Sequence, residues 1–144
     1  MKIEPVNILL IEDNEGDIRL AQEALKDGKV ANDLQVVTDG QEALDYLNNR
    51  GQYTDAIRPD FILLDLNLPK INGIEVLEKV KADVELKKIP VIVLTTSERE
   101  QDILSAYNLQ ADCYIKKPVT IDKFLEVVQI LEDFWISIVK LPKE

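Results

Sequence analysis

The sequence predicts one α/β domain, a doubly wound, five-stranded parallel sheet with helices on both faces. Three observations carry that prediction. Apolar runs of strand length alternate with longer segments of helical period, the pattern of successive βαβ units. The central run, Phe61-Ile-Leu-Leu64, is apolar at every position, as a strand covered on both faces requires. Most of the runs end abruptly on polar residues, and in a parallel sheet those ends share one edge. The chain of 144 residues has room for a single domain over 1–144, with 132–144 expected as a helical extension.

Taken in order, the first strand is expected near 6–12 and runs into Glu12-Asp13. The helix near 15–27 is opened by Asn14, with Asp17 three positions on, and carries Ile18, Ala21, Ala24 and Leu25 on one face. A second strand near 34–38 ends at Thr38-Asp39. Asp39, with Glu42 three residues later, caps a helix near 40–49 whose core stripe is Ala43, Leu44 and Leu47. The polar stretch 48–55 is longer than the ~2–6 residues usual for such a connection. It reads either as a solvated insertion or as a surface for partner specificity.

The third strand, near 60–65, ends on Asp65, and Pro69 and Gly73 break the chain beyond it. Asn72, with Glu75, opens a helix near 73–84 with Val76, Leu77, Val80 and Val84 as its stripe. A fourth strand near 90–95 ends on Thr95-Thr96, and Ser97 with Glu100 opens a helix near 98–109. The fifth strand, near 112–116, runs into Lys117-Pro118. Three of the four cap pairs fit or approximate a capping box, in which cap side chain and N3 carboxylate each bond the other's amide.

The last helix, near 120–138, is too apolar for its place. Ile121, Phe124, Leu125, Val128, Leu131, Trp135, Ile138 and Val139 form the stripe expected to cover the sheet. Val127, Ile130, Phe134 and Leu141 lie beside it and widen the arc to roughly 240°, against the ~100° a surface helix needs. Either the tail folds back on its own chain or the excess meets another protein, most simply a second copy in a symmetric dimer.

Composition narrows the chemistry. A net charge of -10 and a pI near 4.5 argue against nucleic acid as a partner, because such binding rests on clustered Lys and Arg. The single cysteine, Cys113, reads as a core thiol. With no leader and no apolar run near the ~20 residues of a membrane span, no membrane partner and a cytoplasmic location are expected. The chain has no histidine, so carboxylates, hydroxyls and lysine must carry any chemistry. Such groups suit hard cations and phosphoryl transfer.

Alone, Asp65 could simply cap the turn that follows it. With Asp13, Thr95 and Lys117 brought to the same sheet edge, it becomes the centre of a site. Carboxylates gathered there resist ionisation unless a cation neutralises them, and Mg²⁺ suits one or two carboxylates plus water and phosphate. Lys117 adds a second positive charge, Thr95 a hydroxyl, and the loop amides further donors. Such a pocket complements the equatorial oxygens of a phosphoryl group in transfer, and the Asp65 carboxylate is the central nucleophile.

Glu12-Asp13, Asp65 with Leu68-Pro69 and Gly73, Thr95, and Lys117-Pro118 together resemble the receiver domain of two-component response regulators, over Ile8 to about Leu131. The resemblance implies a flavodoxin-like (βα)5 fold with sheet order 2-1-3-4-5. It also implies phosphorylation of Asp65 by a sensor histidine kinase. Mg²⁺ would be held by Asp13, Asp65 and the Asn67 carbonyl, with Glu12 acting through water. Thr95 and Lys117 would contact the phosphoryl oxygens, Lys117-Pro118 would be cis, and Thr95 and Tyr114 would form the switch. The chain would be a phosphoacceptor, not an enzyme acting on other substrates, with autodephosphorylation gated by Asn67 and Ser97. Two departures from the family pattern are Glu12 for the commoner Asp and Thr96 for a frequent Ala.

Within that family, the Glu12 to Asp17 segment, the 48–55 loop and the aromatic tail are similar to stand-alone regulators served by bacterial phytochromes. This implies a phytochrome-type photoreceptor as the candidate kinase and a homodimer through the last helix, with Val127, Ile130, Phe134 and Trp135 at its interface. Two other classes compete. A Mg²⁺-dependent phosphohydrolase would need a general acid two residues after its nucleophile, where Asn67 stands. A constitutive interaction module would need none of Asp13, Asp65 and Lys117.

Overall fold

The computed structural model describes residues 5–27, 31–95, 109, 111, 113–117, 120, 122–126, 129, 130 and 133, with the backbone alone at Thr95 and Cys113. Its elements are β1 (Val6–Ile11), α1 (Glu15–Lys26), β2 (Asn32–Val37), α2 (Gly40–Leu47), β3 (Phe61–Asp65), α3 (Gly73–Ala82), β4 (Val91–Thr95) and β5 (Cys113–Lys116). Single 3-10 turns lie at Gly51–Tyr53 and Leu86–Lys88. The strands form one parallel sheet in the order β2-β1-β3-β4-β5, as expected. The order reverses between β1 and β3, where an open α/β sheet leaves a crevice beyond its strand ends.

Strand alternation divides the core into two layers. Leu9, Ile11, Ile62, Leu64, Val91 and Val93 pack with Leu44, Leu47, Val76, Leu77 and Val80 of α2 and α3. Ile8, Leu10, Leu63, Ile92 and Leu94 point the other way, onto Ala21, Ala24 and Leu25 of α1 and onto Phe124. β3, apolar at both parities, is buried along its whole length. β2 is an edge strand, and its exposure alternates accordingly.

The three described caps form as expected: the side chains of Asn14, Asp39 and Asn72 accept the amides of Asp17, Glu42 and Glu75. The reciprocal half of the capping box does not follow in the first two. Glu42 instead accepts the amide of Thr38 (3.1 Å), and the amide of Asn14 goes to Glu12 (3.2 Å). The Ser97 cap and the helix expected near 98–109 lie outside the described residues, except for Leu109, which is buried in the core.

Among the described residues, two members of the expected core stripes face outward. Val84 is 67 % exposed because α3 ends at Ala82: the Asp83 carboxylate accepts the amides of Glu85 and Leu86 and turns the chain off the helical path. Leu125 is 41 % exposed. Phe124 fills the core position, and one helical step rotates the next residue by about 100°. Ile130, placed beside the stripe, is 55 % exposed. Residues 122–126, 129, 130 and 133 are helical; Val127, Phe134 and Trp135 lie outside the described residues, as does the 132–144 extension apart from Asp133.

The 48–55 stretch is held together by its own polar groups. The Asn49 side-chain amide donates to the carbonyls of Tyr53 and Ala56, and the Thr54 hydroxyl donates to Gly51. Tyr53 sits against Tyr46, with ring centroids 5.1 Å apart.

Candidate functional site

The site follows from strand register. In the β1–β3 pair Ile11 lies opposite Leu64, so the next residues, Glu12 and Asp65, emerge level with each other. In the β4–β5 pair Thr95 lies opposite Lys116, which places Lys117 one step beyond the same edge. Glu12 extends β1 by one bond, its amide donating to Val37 of β2 (3.0 Å). Residues 105 apart in sequence thereby meet.

Glu12 and Asp65 are the two buried charged residues among those described. Each Asp65 oxygen has a partner: Oδ1 accepts the Asn67 amide (3.0 Å) and Oδ2 lies 3.2 Å from Lys117 Nζ. The same ammonium reaches Glu12 Oε1 at 2.9 Å and Oε2 at 3.2 Å. A fourth oxygen, Asp17 Oδ2, stands 2.9 Å from it. Burial, reinforced by the nearby Asp65 carboxyl, pushes Glu12 up to about 7, against the opposing pull of Lys117. Burial pulls Lys117 down, but hydrogen bonds to Asp17 and Glu12 and the charges of Asp65 and Glu12 outweigh it and hold the ammonium above the usual lysine range. One ammonium among several carboxylates leaves excess negative charge, so a proton held on Glu12 and a firmly charged Lys117 are compatible.

Glu12, Asp13 and Asp65 each offer an oxygen within 4.8 Å of the others, with Asp13 exposed. Three carboxylates in a group still anionic beside a single lysine fit a hard divalent cation. Asn67 is exposed, with its amide on Asp65. Tyr114 is half-buried against the α2–α3 layer, and its hydroxyl accepts the Ala111 amide (3.3 Å). The backbone of Thr95 ends β4; its side chain, Thr96, Ser97 and the Lys117-Pro118 bond lie outside the described residues.

Gly73 holds α3 close to the backbone at the end of β3. Its amide donates to Leu66 (2.9 Å), and a Cβ there would lie 2.4 Å from the Asp65 carbonyl oxygen. In the sequence Gly73 reads as a chain breaker and as part of the family pattern; close approach is its role here. Asp17 reads there as a helix-opening acid within the Glu12 to Asp17 segment. The available signal was position: α1 begins three residues after Glu12, so an acid in its first turn remains at the edge where the strand-end groups meet.

Comparison with known proteins gives a consistent result. The family model for the response regulator receiver domain matches residues 8–129. Response regulator Rcp1 of Synechocystis sp. is 44 % identical over 138 residues, covering 96 % of this chain and 94 % of its own length. The crystal structure of the phosphorylated cyanobacterial phytochrome response regulator RcpA superposes with a TM-score of 0.82 at 48 % identity, covering 97 % of this chain and all of its own. The Mn²⁺-bound form of Rcp1 gives 0.81 at 44 % identity, covering 96 % and 99 %.

Proposed function

The chain belongs to the response regulator receiver family, and from that we propose that it takes a phosphoryl group onto Asp65 from a sensor histidine kinase and signals through a changed contact surface. The observation that carries the proposal is Asp65 itself, buried at the end of the central strand with one oxygen on a backbone amide and the other on Lys117.

In the transfer, a carboxylate oxygen of Asp65 forms the new O–P bond as the P–N bond to the kinase histidine breaks, and that bond's electron pair leaves with the imidazole nitrogen. Lys117 holds the charge of the transferring oxygens, the Thr95 hydroxyl donates to one of them, and the Asn67 amide orients the nucleophile. Asp13, Asp65 and the Asn67 carbonyl would hold Mg²⁺, with Glu12 acting through water, and the ion would neutralise the carboxylates and the phosphoryl oxygens. The Mn²⁺-bound form of Rcp1 supports a divalent cation in this pocket. Water later cleaves the acyl phosphate, returning Asp65 and inorganic phosphate. The protein is thus a phosphoacceptor and not an enzyme for other substrates, consistent with Asn67 standing where a phosphohydrolase needs an acid.

Turning of Thr95 toward the phosphoryl group, with Tyr114 moving into the space behind it, is the two-state element that relays the change. Similarity to the cyanobacterial phytochrome response regulator RcpA supports a phytochrome-type photoreceptor as the kinase. The exposed Leu125 and Ile130 support a homodimer through the last helix, in a cytoplasmic protein of one domain. Among the described residues no helix is long and apolar enough to cross a membrane.

Intact mass after incubation with acetyl phosphate and Mg²⁺ tests the central claim. A phosphoryl adduct is expected, absent in Asp65→Asn and in the presence of chelator. Folded protein without an adduct would overturn it, and turnover of ordinary phosphomonoesters would favour the hydrolase.

A further inference from the structure

Lys117 has no hydrogen to spare. Its ammonium carries three N–H donors, and four carboxylate oxygens lie within 3.2 Å: two on Glu12, one on Asp65 and one on Asp17. A phosphoryl oxygen arriving on Asp65 therefore reaches Lys117 only if one of these partners withdraws.

The three carboxylates are not equally able to do so. The side chains of Glu12 and Asp65 are 0 % and 4 % exposed, and both belong to the group that fits a cation. Glu12 has no water to take the ammonium's place if it withdraws, and Asp65, esterified by the phosphoryl group it carries, stays beside Lys117. Asp17 is 25 % exposed, so water can take the place of the ammonium at its oxygens. It sits in the first turn of α1, a helix of 12 residues, where the helix N-terminus favours a carboxylate whether or not it is paired. Its backbone is anchored independently, because its amide donates to the Asn14 cap (2.9 Å). The side chain can swing out while the helix stays.

We propose that Asp17 is a positioning residue of the phosphoryl-transfer site, which holds Lys117 in place before transfer and is displaced from the ammonium by the incoming phosphoryl oxygen. This rests on the receiver reading given above. Asp17 then acts as a built-in competitor of the phosphoryl group: its charge keeps the lysine ordered, and it lowers the affinity of the pocket for its ligand. Removing the charge strengthens phosphoryl binding, and restoring it on a longer arm returns the competition.

The test compares wild type, Asp17→Asn, Asp17→Ala and Asp17→Glu in the whole chain. Affinity for beryllofluoride with Mg²⁺ is measured by calorimetry, and the Lys117 ammonium resonance is followed by proton–nitrogen NMR without metal. Partly exposed ion pairs of this kind are worth about a threefold to fivefold change in an equilibrium. Asp17→Asn and Asp17→Ala should therefore bind beryllofluoride about threefold to fivefold more tightly, and shift the Lys117 signal. Asp17→Glu should bind as wild type does. Unchanged or weaker binding in Asn and Ala variants that keep the wild-type amide spectrum would overturn the proposal, as would an unmoved Lys117 signal. Wild type that takes neither beryllofluoride nor an acetyl phosphate adduct would overturn the receiver reading itself. Wild type that takes both, with variants indistinguishable from it, overturns only the role of Asp17.

Discussion

At the scale of the residue, the distinguishing feature is one lysine serving three carboxylates, two of them buried. Lys117→Ala leaves the Glu12 and Asp65 carboxyls facing each other with no internal cation. Removing one partner of a buried pair costs about 3–5 kcal/mol. Without metal the variant should unfold at clearly lower denaturant, and Mg²⁺ should restore part of the loss. Its signalling output should fall more than its phosphorylation does; wild-type output would contradict the part assigned to this lysine.

Glu12 gives a second prediction at this scale. Its carboxyl is raised in the folded chain to about 7 from an ordinary 4.5, so between these values the folded protein holds a proton that the unfolded chain has released. Stability without metal should be fully present below the lower value and should fall as pH rises through the higher one. Cation affinity should move oppositely, rising up to about tenfold per pH unit in that window because the cation replaces the proton. The chain has no histidine to titrate in the upper part of that window. Urea midpoints at about pH 5.5 and about pH 8, with and without Mg²⁺, measure both slopes, and Glu12→Gln should flatten them.

At the scale of the element, helix starts and their glycines place the strand-end groups. Asn72 caps α3 through the Glu75 amide (2.9 Å), and Asn72→Ala should cost about 1 kcal/mol in a denaturant titration. Gly73 is more demanding, since an added methyl group would meet backbone of Asp65 and Leu66 that has no way to rotate aside. Gly73→Ala should cost about 1–3 kcal/mol and, unlike the cap variant, should also slow phosphorylation by shifting Asp65. Equal phosphorylation rates in the two variants would show that the close approach serves packing alone. The start of α2 is joined to the same loop: a Cβ on Gly40 would lie 1.8 Å from the Ile71 carbonyl oxygen, and Lys70 reaches Asp39 at 3.5 Å.

At the scale of the whole molecule, the switch point between β1 and β3 gathers the acids, and apolar side chains at the C-terminal end remain in water. Ile130, in helical structure and 55 % exposed, is the described member of the proposed dimer face. Ile130→Glu should convert a dimer to a monomer in light scattering while leaving the circular dichroism of the folded chain unchanged, because the position contributes little to the core. An unaltered dimer would place the interface elsewhere. The net charge of -10 adds mutual repulsion between copies, so association should strengthen with salt.

The sequence by itself determined the strands, their faces, the three described caps and the identity of Asp65, Glu12, Asp13 and Lys117 as groups of one edge. It could do so because those features depend on periods of 2 and 3.6 and on the end of each apolar run, which are local properties of the chain. Its sheet order came through the resemblance to a family, since nothing local states which strand lies beside which. Only the tertiary structure decided that Asp17 pairs with Lys117, that Glu42 turns to Thr38, that Phe124 and not Leu125 enters the core, and that Gly73 is needed for space beneath Asp65. Asp17 met its lysine only when the fold brought the two within about 3 Å from distant parts of the chain, and Glu42 had two neighbouring amides within reach, between which the sequence does not choose. A period records which way a residue points, but not what it meets there.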